Sequence, residues 1–165
     1  MPHDEVVRRQ QTAEAVAREY LDAWAAPDVD RLGTILTPDF QAEYRFHESG
    51  SVDPEVLRRV EGRDTYVATA REQLPKFPYT YVEPVFRPTA DGHSVYVETE
   101  CRVEVPGETS PEPEIVYRNI LLYRLDVEDG LITRLVTWHN PVAALVFHRQ
   151  RTLPTPQEIQ ELGRP

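Results

Sequence analysis

What most constrains this chain of 165 residues is a change of hydrophobic period near Pro78. Before it, apolar residues recur at helical spacing: Val6, Ala13, Val16, Ala17, Tyr20, Leu21 and Trp24 predict one helix over 5–25. After it the period is two, and 79–87, 93–105, 115–128 and 131–138 read as strands. Asp91-Gly92 and Asp129-Gly130 fall between strands. Asp-Gly pairs suit tight hairpins, whose central residues need positive φ. Helices followed by hairpin-linked strands predict the α+β class: a cone-shaped α+β barrel in which a curved antiparallel sheet wraps around the N-terminal helices and encloses a central pocket.

The boundaries follow from capping and turn chemistry. Pro27-Asp28 stops the first helix, and Asp28 suits the N-cap of a second over 29–36. A Pro38-Asp39-Phe40 corner leads into a strand over 40–46, with a loop at 48–53. Asp53-Pro54-Glu55 places an N-cap before a proline at the first helical position and predicts a short helix over 54–60. Gly62 then precedes a helix over 63–74, and a polar loop covers 106–114. A short helix is expected over 142–150. The Pro-rich tail 151–165 is expected on the surface or across a dimer. By length the chain is one domain, 1–165.

Charge and composition narrow the partners. A net charge of −10 argues against nucleic acid and anionic membranes, since both demand clustered positive charge. No apolar run reaches membrane-spanning length and no signal pattern opens the chain, so a cytoplasmic location is expected. The single Cys101 excludes an internal disulfide and a multi-cysteine metal site. Lys76 is the single lysine, so Schiff-base chemistry would rest on it alone. No Gly-rich phosphate motif and no His/Asp/Glu set with ligand spacing occurs, so neither cofactor nor metal is expected.

Several short matches carry a family resemblance. Tyr20…Trp24, Asp28…Leu32, Pro38-Asp39-Phe40 and Asp129-Gly130-Leu131-Ile132 resemble the nuclear-transport-factor-2-like (NTF2-like) or SnoaL-like superfamily. Gly62-Arg63-Asp64…Phe77-Pro78, Val97-Glu98, Tyr117-Arg118-Asn119 and Asn140-Pro141 are most similar to the phenazine-biosynthesis A/B family. That resemblance implies a pocket for a small-molecule substrate. In the phenazine family a histidine on the third helix and a glutamate on the last strand form an acid–base pair. Alignment on the shared motifs places Thr69 and Thr137 there, and a threonine hydroxyl does not shuttle protons near neutral pH.

The chemistry must then come from elsewhere. Residues two apart on a strand share a face. Glu98, Glu100 and Arg102 therefore form one set, and Val97, Thr99, Cys101 and Val103 the other. The first set faces either solvent or a polar cavity, and the resemblance favours the cavity. Paired carboxylates raise one another's pKa, and an adjacent arginine holds one ionised or clamps a substrate. Glu98 is then the expected acid or base, Glu100 its tuner and Arg102 the anchor. His139 is the best-placed imidazole for proton transfer, and His47 stands near the mouth. Tyr117 and Asn119 are expected to bind substrate. The resemblance implies that Tyr20 and Trp24 roof the pocket; Tyr44 and Phe46 are expected to form its wall, and Thr69 and Thr137 to line it.

The expected activity is a cofactor-independent cyclase, isomerase or dehydratase acting on a polar ketone-bearing or aromatic intermediate of secondary metabolism. The alternative is a non-catalytic ligand-binding or scaffold subunit of a biosynthetic pathway. An epoxide hydrolase is a third possibility, which Thr137 disfavours. An open curved sheet leaves a face to cover, so a homodimer is expected.

Overall fold

The computed structural model describes residues 3–26, 28–45, 58–73, 79–105 and 114–139. Three helices, α1 (His3–Ala25), α2 (Val29–Ile35) and α3 (Arg63–Gln73), accompany six strands. The strands are β1 (Leu36–Tyr44), β2 (Arg58–Glu61), β3 (Tyr79–Pro88), β4 (Ser94–Val105), β5 (Glu114–Glu128) and β6 (Leu131–His139). They form one curved, unclosed sheet in the order β2-β1-β6-β5-β4-β3.

The sheet is mixed where an antiparallel one was expected, because β1 runs parallel to β6. Periodicity reports which residues share a face and carries no information on strand direction. The α1–α2 hairpin delivers β1 to the free edge of β6, which closes the helices over the concave side. The β1–β6 register shifts between Leu36 and Gln41, at the Pro38-Asp39-Phe40 corner, where proline has no N–H to give the ladder. Phe40 next to it is fully buried.

A second correction concerns 54–60. Residues 58–60 belong to strand β2, which pairs antiparallel with β1 (Val60 opposite Ala42) and buries Val60. The Asp-Pro-Glu cue is local, and pairing with β1 decides the state of 58–60. The helix expected over 142–150 and the tail lie outside the described residues, as do Phe46, His47 and Lys76.

Local chemistry accounts for the other elements. Asp28 caps α2, its Oδ1 accepting from Arg31 N–H at 3.0 Å. Asp129 (φ 50°) and Gly130 (φ 77°) both take positive φ in the β5–β6 turn. Gly92 in the β3–β4 turn is required for a different reason. At φ 73° it lies against α1, where an added Cβ would stand 2.6 Å from Arg9 Cβ. Gln10 Nε2–H donates to Thr89 carbonyl at 3.0 Å and locks this turn onto the helix.

The core lies between the helices and the concave face. α1 contributes Ala13, Val16, Ala17, Tyr20, Leu21, Ala23 and Trp24, and α2 contributes Leu32 and Ile35. From the sheet, Ala42, Val95, Val97, Leu125, Ile132 and Leu135 pack against them. Among the described residues no helix is long and apolar enough to cross a membrane.

Candidate functional site

Strand parity fixes the site once the concave face is known. On β4 the inward set is Val95, Val97, Thr99, Cys101 and Val103, all buried. The expectation that Glu98, Glu100 and Arg102 line the pocket is therefore corrected: they stand on the opposite, outer face. Burial of the apolar set wins, because turning the strand would strand four apolar side chains in water. Glu98 is exposed and pairs with Arg87 at 3.2 Å. Glu100 is held between Arg102 and Arg118, the latter at 2.7 Å. Hydrogen bonds from Arg118 and Arg102 keep its carboxyl below the usual carboxylate range, the reverse of what a general acid needs.

Tyrosines build the concave face. All of the chain's eight except Tyr96 are buried in the core or packed against it. Tyr20 on α1 and Tyr66 on α3 meet hydroxyl to hydroxyl at 2.5 Å, each 2% exposed. Trp24 packs edge-on to Tyr66 at 6.1 Å, and Tyr123 edge-on to Tyr20 at 6.2 Å. Burial pushes the Tyr20 and Tyr66 hydroxyls well above the usual phenol range, with neighbouring tyrosines adding to the effect. Both remain neutral and keep their protons. In such a pair one proton lies between the oxygens, and the other hydroxyl hydrogen is left to donate elsewhere.

The strands add further polar groups to this face. Tyr44, Thr137 and Tyr123 lie in register across β1, β6 and β5. Thr137 is 5% exposed, and its Oγ1 makes no hydrogen bond among the described residues. Trp24 Nε1 is likewise buried without a hydrogen bond of good geometry, although it lies near enough to Tyr20 to lower that phenol's pKa somewhat. His139, opposite Leu121 on β5, shares the inward face with Thr137. Asn119 Nδ2–H donates to Tyr117 Oη at 2.8 Å, on the same face nearer the start of β5. Burial raises the Tyr117 hydroxyl to about 12.

Of the expected site residues, the structure brings Tyr20, Trp24, Tyr44, Tyr117, Asn119, Thr137 and His139 to the concave side. Thr69 is half-buried on α3 and spends its hydroxyl on the Thr65 carbonyl at 3.0 Å. Sequence reasoning missed Tyr66, Tyr79, Tyr81 and Tyr123. Alternation on β3 and β5 carried a signal for three of them, whereas Tyr66 joins only through the packing of α3. Among the described residues the concave face holds no carboxylate, and no group of three acidic, histidine or cysteine side chains is placed to hold a metal.

Chemically, among the described residues the face offers neutral hydrogen-bond donors, the His139 imidazole and aromatic walls. The comparisons agree with this fold. A phenazine biosynthesis-related protein from Pseudomonas aeruginosa is 19% identical, with a TM-score of 0.72 over 99% of each chain. A protein provisionally assigned as a ketosteroid isomerase, from Kribbella flavida, is 20% identical, with a TM-score of 0.56 over 94% of this chain and 91% of its own. An NTF2-like protein from Burkholderia xenovorans is 15% identical, with a TM-score of 0.59 over 85% of this chain and 95% of its own. No curated protein matches in sequence. The sequence pattern of the SnoaL-like domain matches residues 17–135, most of the chain, so this chain belongs to the SnoaL-like family.

Proposed function

We propose that the protein is a cofactor-independent enzyme that moves a proton beside a carbonyl, in an isomerisation, dehydration or ring closure of a neutral aromatic or ketone-bearing intermediate. The observation that carries this reading is the buried Tyr20–Tyr66 hydroxyl pair at 2.5 Å. Removing a proton next to a ketone places negative charge on the carbonyl oxygen. Neutral donors fixed in a water-poor site stabilise that charge without having to reorganise. The free hydrogen of the pair and the unbonded Thr137 Oγ1–H supply such donors. His139 is the base in this scheme. It lies two residues beyond Thr137 on the same strand face, roughly 6–7 Å along the strand. That spacing suits a carbonyl oxygen held at Thr137 and an adjacent C–H presented to the imidazole. After transfer, the imidazolium returns the proton at a second carbon or to a departing hydroxyl, so the step balances without a co-reactant. Tyr117 and Asn119 orient the far end of the substrate, and Trp24 and Tyr44 flank its ring.

The outer face supports a homodimer as part of this reading. Ile120, Leu122 and Val85 are 58%, 37% and 45% exposed there, among the Glu98–Arg87 and Glu100–Arg118 pairs. Such a patch of mixed charge is able to complement a second copy of itself.

A ligand-binding role without chemistry is the second reading, favoured by the concave face's lack of a carboxylate among the described residues. The two separate by solvent deuterium exchange. Neutral cyclic aromatic ketones such as the tetralones are incubated in D2O and followed by NMR. The enzyme reading expects exchange above the buffer rate, falling by about a hundredfold in His139→Gln and in Tyr20→Phe. Ketones that bind but exchange at the buffer rate leave the binding role.

A further inference from the structure

We propose that the cleft between α1 and the edge strand β3 is the side entrance to the buried Tyr20–Tyr66 pair, and that Tyr79 and Tyr81 form its gate. The inference rests on the preceding reading in one respect, that the pair is where a ligand acts. Tyr20 and Tyr66 are each 2% exposed, so whatever meets them needs a passage. The cleft has a volume of about 320 Å³, at the small end of ligand pockets. Leu21 and Ala25 of α1 form one wall; Tyr79, Tyr81, Pro84 and Phe86 of β3 form the other.

The gate residues connect the cleft to the pair. Tyr79 meets Trp24 at 5.9 Å, and Trp24 meets Tyr66. Tyr81 meets Tyr123 at 6.5 Å, and Tyr123 meets Tyr20. The floor of the cleft is thus one ring away from either hydroxyl. The backbone here is also weakly tied to the sheet. Among the described residues β3 is an edge strand, bonded to β4 alone. Its ladder breaks between Val82 and Val85, where Glu83 takes φ 47° and Pro84 has no N–H to donate. Among the described residues an outward shift of this stretch breaks no second ladder.

The cleft also sorts by charge. Arg18 lies over the Phe86 ring at 4.1 Å, and its charge is matched by Glu14 at 2.6 Å. Asp22 adds an exposed carboxylate at the rim. Aromatic walls with a matched cation and an added carboxylate favour a neutral ligand over an anionic one.

The test uses acrylamide, a small neutral carbonyl compound, as the probe. Trp138→Phe leaves Trp24 as the one tryptophan of the two present. In that background Asp22→Cys is labelled with a bulky non-fluorescent maleimide, and acrylamide quenching of Trp24 is measured. Cys101 is buried with its thiol raised to about 12, so it does not take the label at neutral pH. The side entrance expects the label to abolish most of the quenching. A second plug one turn along the helix, at the exposed Ala25→Cys, is expected to do the same, whereas a label at the exposed Glu128→Cys leaves quenching unchanged. Equal quenching with and without the Asp22 and Ala25 labels overturns the proposal, as does a Trp24 that acrylamide never reaches. This readout needs no turnover, so it stands or falls separately from the exchange assay.

Discussion

The Tyr20–Tyr66 contact makes a quantitative prediction for a double-mutant cycle. The two hydroxyls are buried and 2.5 Å apart, so each is the other's partner. Tyr20→Phe removes one hydroxyl and leaves the other without it, and Tyr66→Phe does the converse. A buried polar group left unsatisfied costs about 1–3 kcal/mol, so each single variant is expected to lose about 2 kcal/mol, or roughly 4–8 °C in Tm for a chain of this size. The double variant removes both groups and leaves two rings of unchanged shape, a change expected to be nearly neutral. The singles should therefore over-predict the double by about 2–4 kcal/mol, a coupling typical of directly bonded buried groups. Urea denaturation of the four proteins, with matching m-values, measures it. Additive effects of the two substitutions would refute the bonded pair, and with it the donor role assigned to these hydroxyls.

Other expectations follow from the same geometry. Tyr20, Tyr66, Tyr81 and Tyr123 are all pushed above the usual phenol range by burial. The unfolded chain gives up these protons near pH 10 and the folded chain keeps them, so their contribution is complete below about pH 10 and is lost as pH rises beyond it. Urea midpoints that stay flat from pH 9 to pH 11 would contradict this. Glu43 moves the other way. Burial works to raise its pKa, but the Arg134 hydrogen bond at 2.8 Å and the charges of Arg45, Arg134 and Arg59 outweigh it and hold the carboxyl low. Its contribution is complete above about pH 4.3 and fades as pH falls, so Glu43→Gln should flatten the acid limb of the stability profile. Gly92→Ala combines positive φ with a Cβ 2.6 Å from Arg9, and should cost about 2 kcal/mol or more; an unchanged Tm would mean that the turn does not rest on α1. Glu98→Gln should leave ketone exchange intact because its side chain is on the outer face, and a loss of exchange would put it back in the site. Ile120→Glu should convert a dimer to a monomer in light scattering; a monomeric wild type would remove the interface.

The sequence by itself determined most of the elements and much of their chemistry. Helical spacing from Val6 to Trp24 placed α1, Asp28 placed the cap of α2, and Asp129-Gly130 placed the last turn. These signals are local: a side chain's period, a cap or a positive φ is dictated within a few residues. Parity likewise told that Glu98, Glu100 and Arg102 share a face. It did not tell which face is inside. That choice belongs to the whole molecule, because the inward side is the one whose burial against α1, α2 and the neighbouring strands removes the most apolar surface from water. The parallel β1–β6 pairing and the strand at 58–61 were hidden for the same reason, since both depend on partners far along the chain. So was the meeting of Tyr20 with Tyr66, which are 46 residues apart and lie on different helices. Only tertiary packing, by setting α1 and α3 over one curved sheet, gathers scattered tyrosines on one concave face.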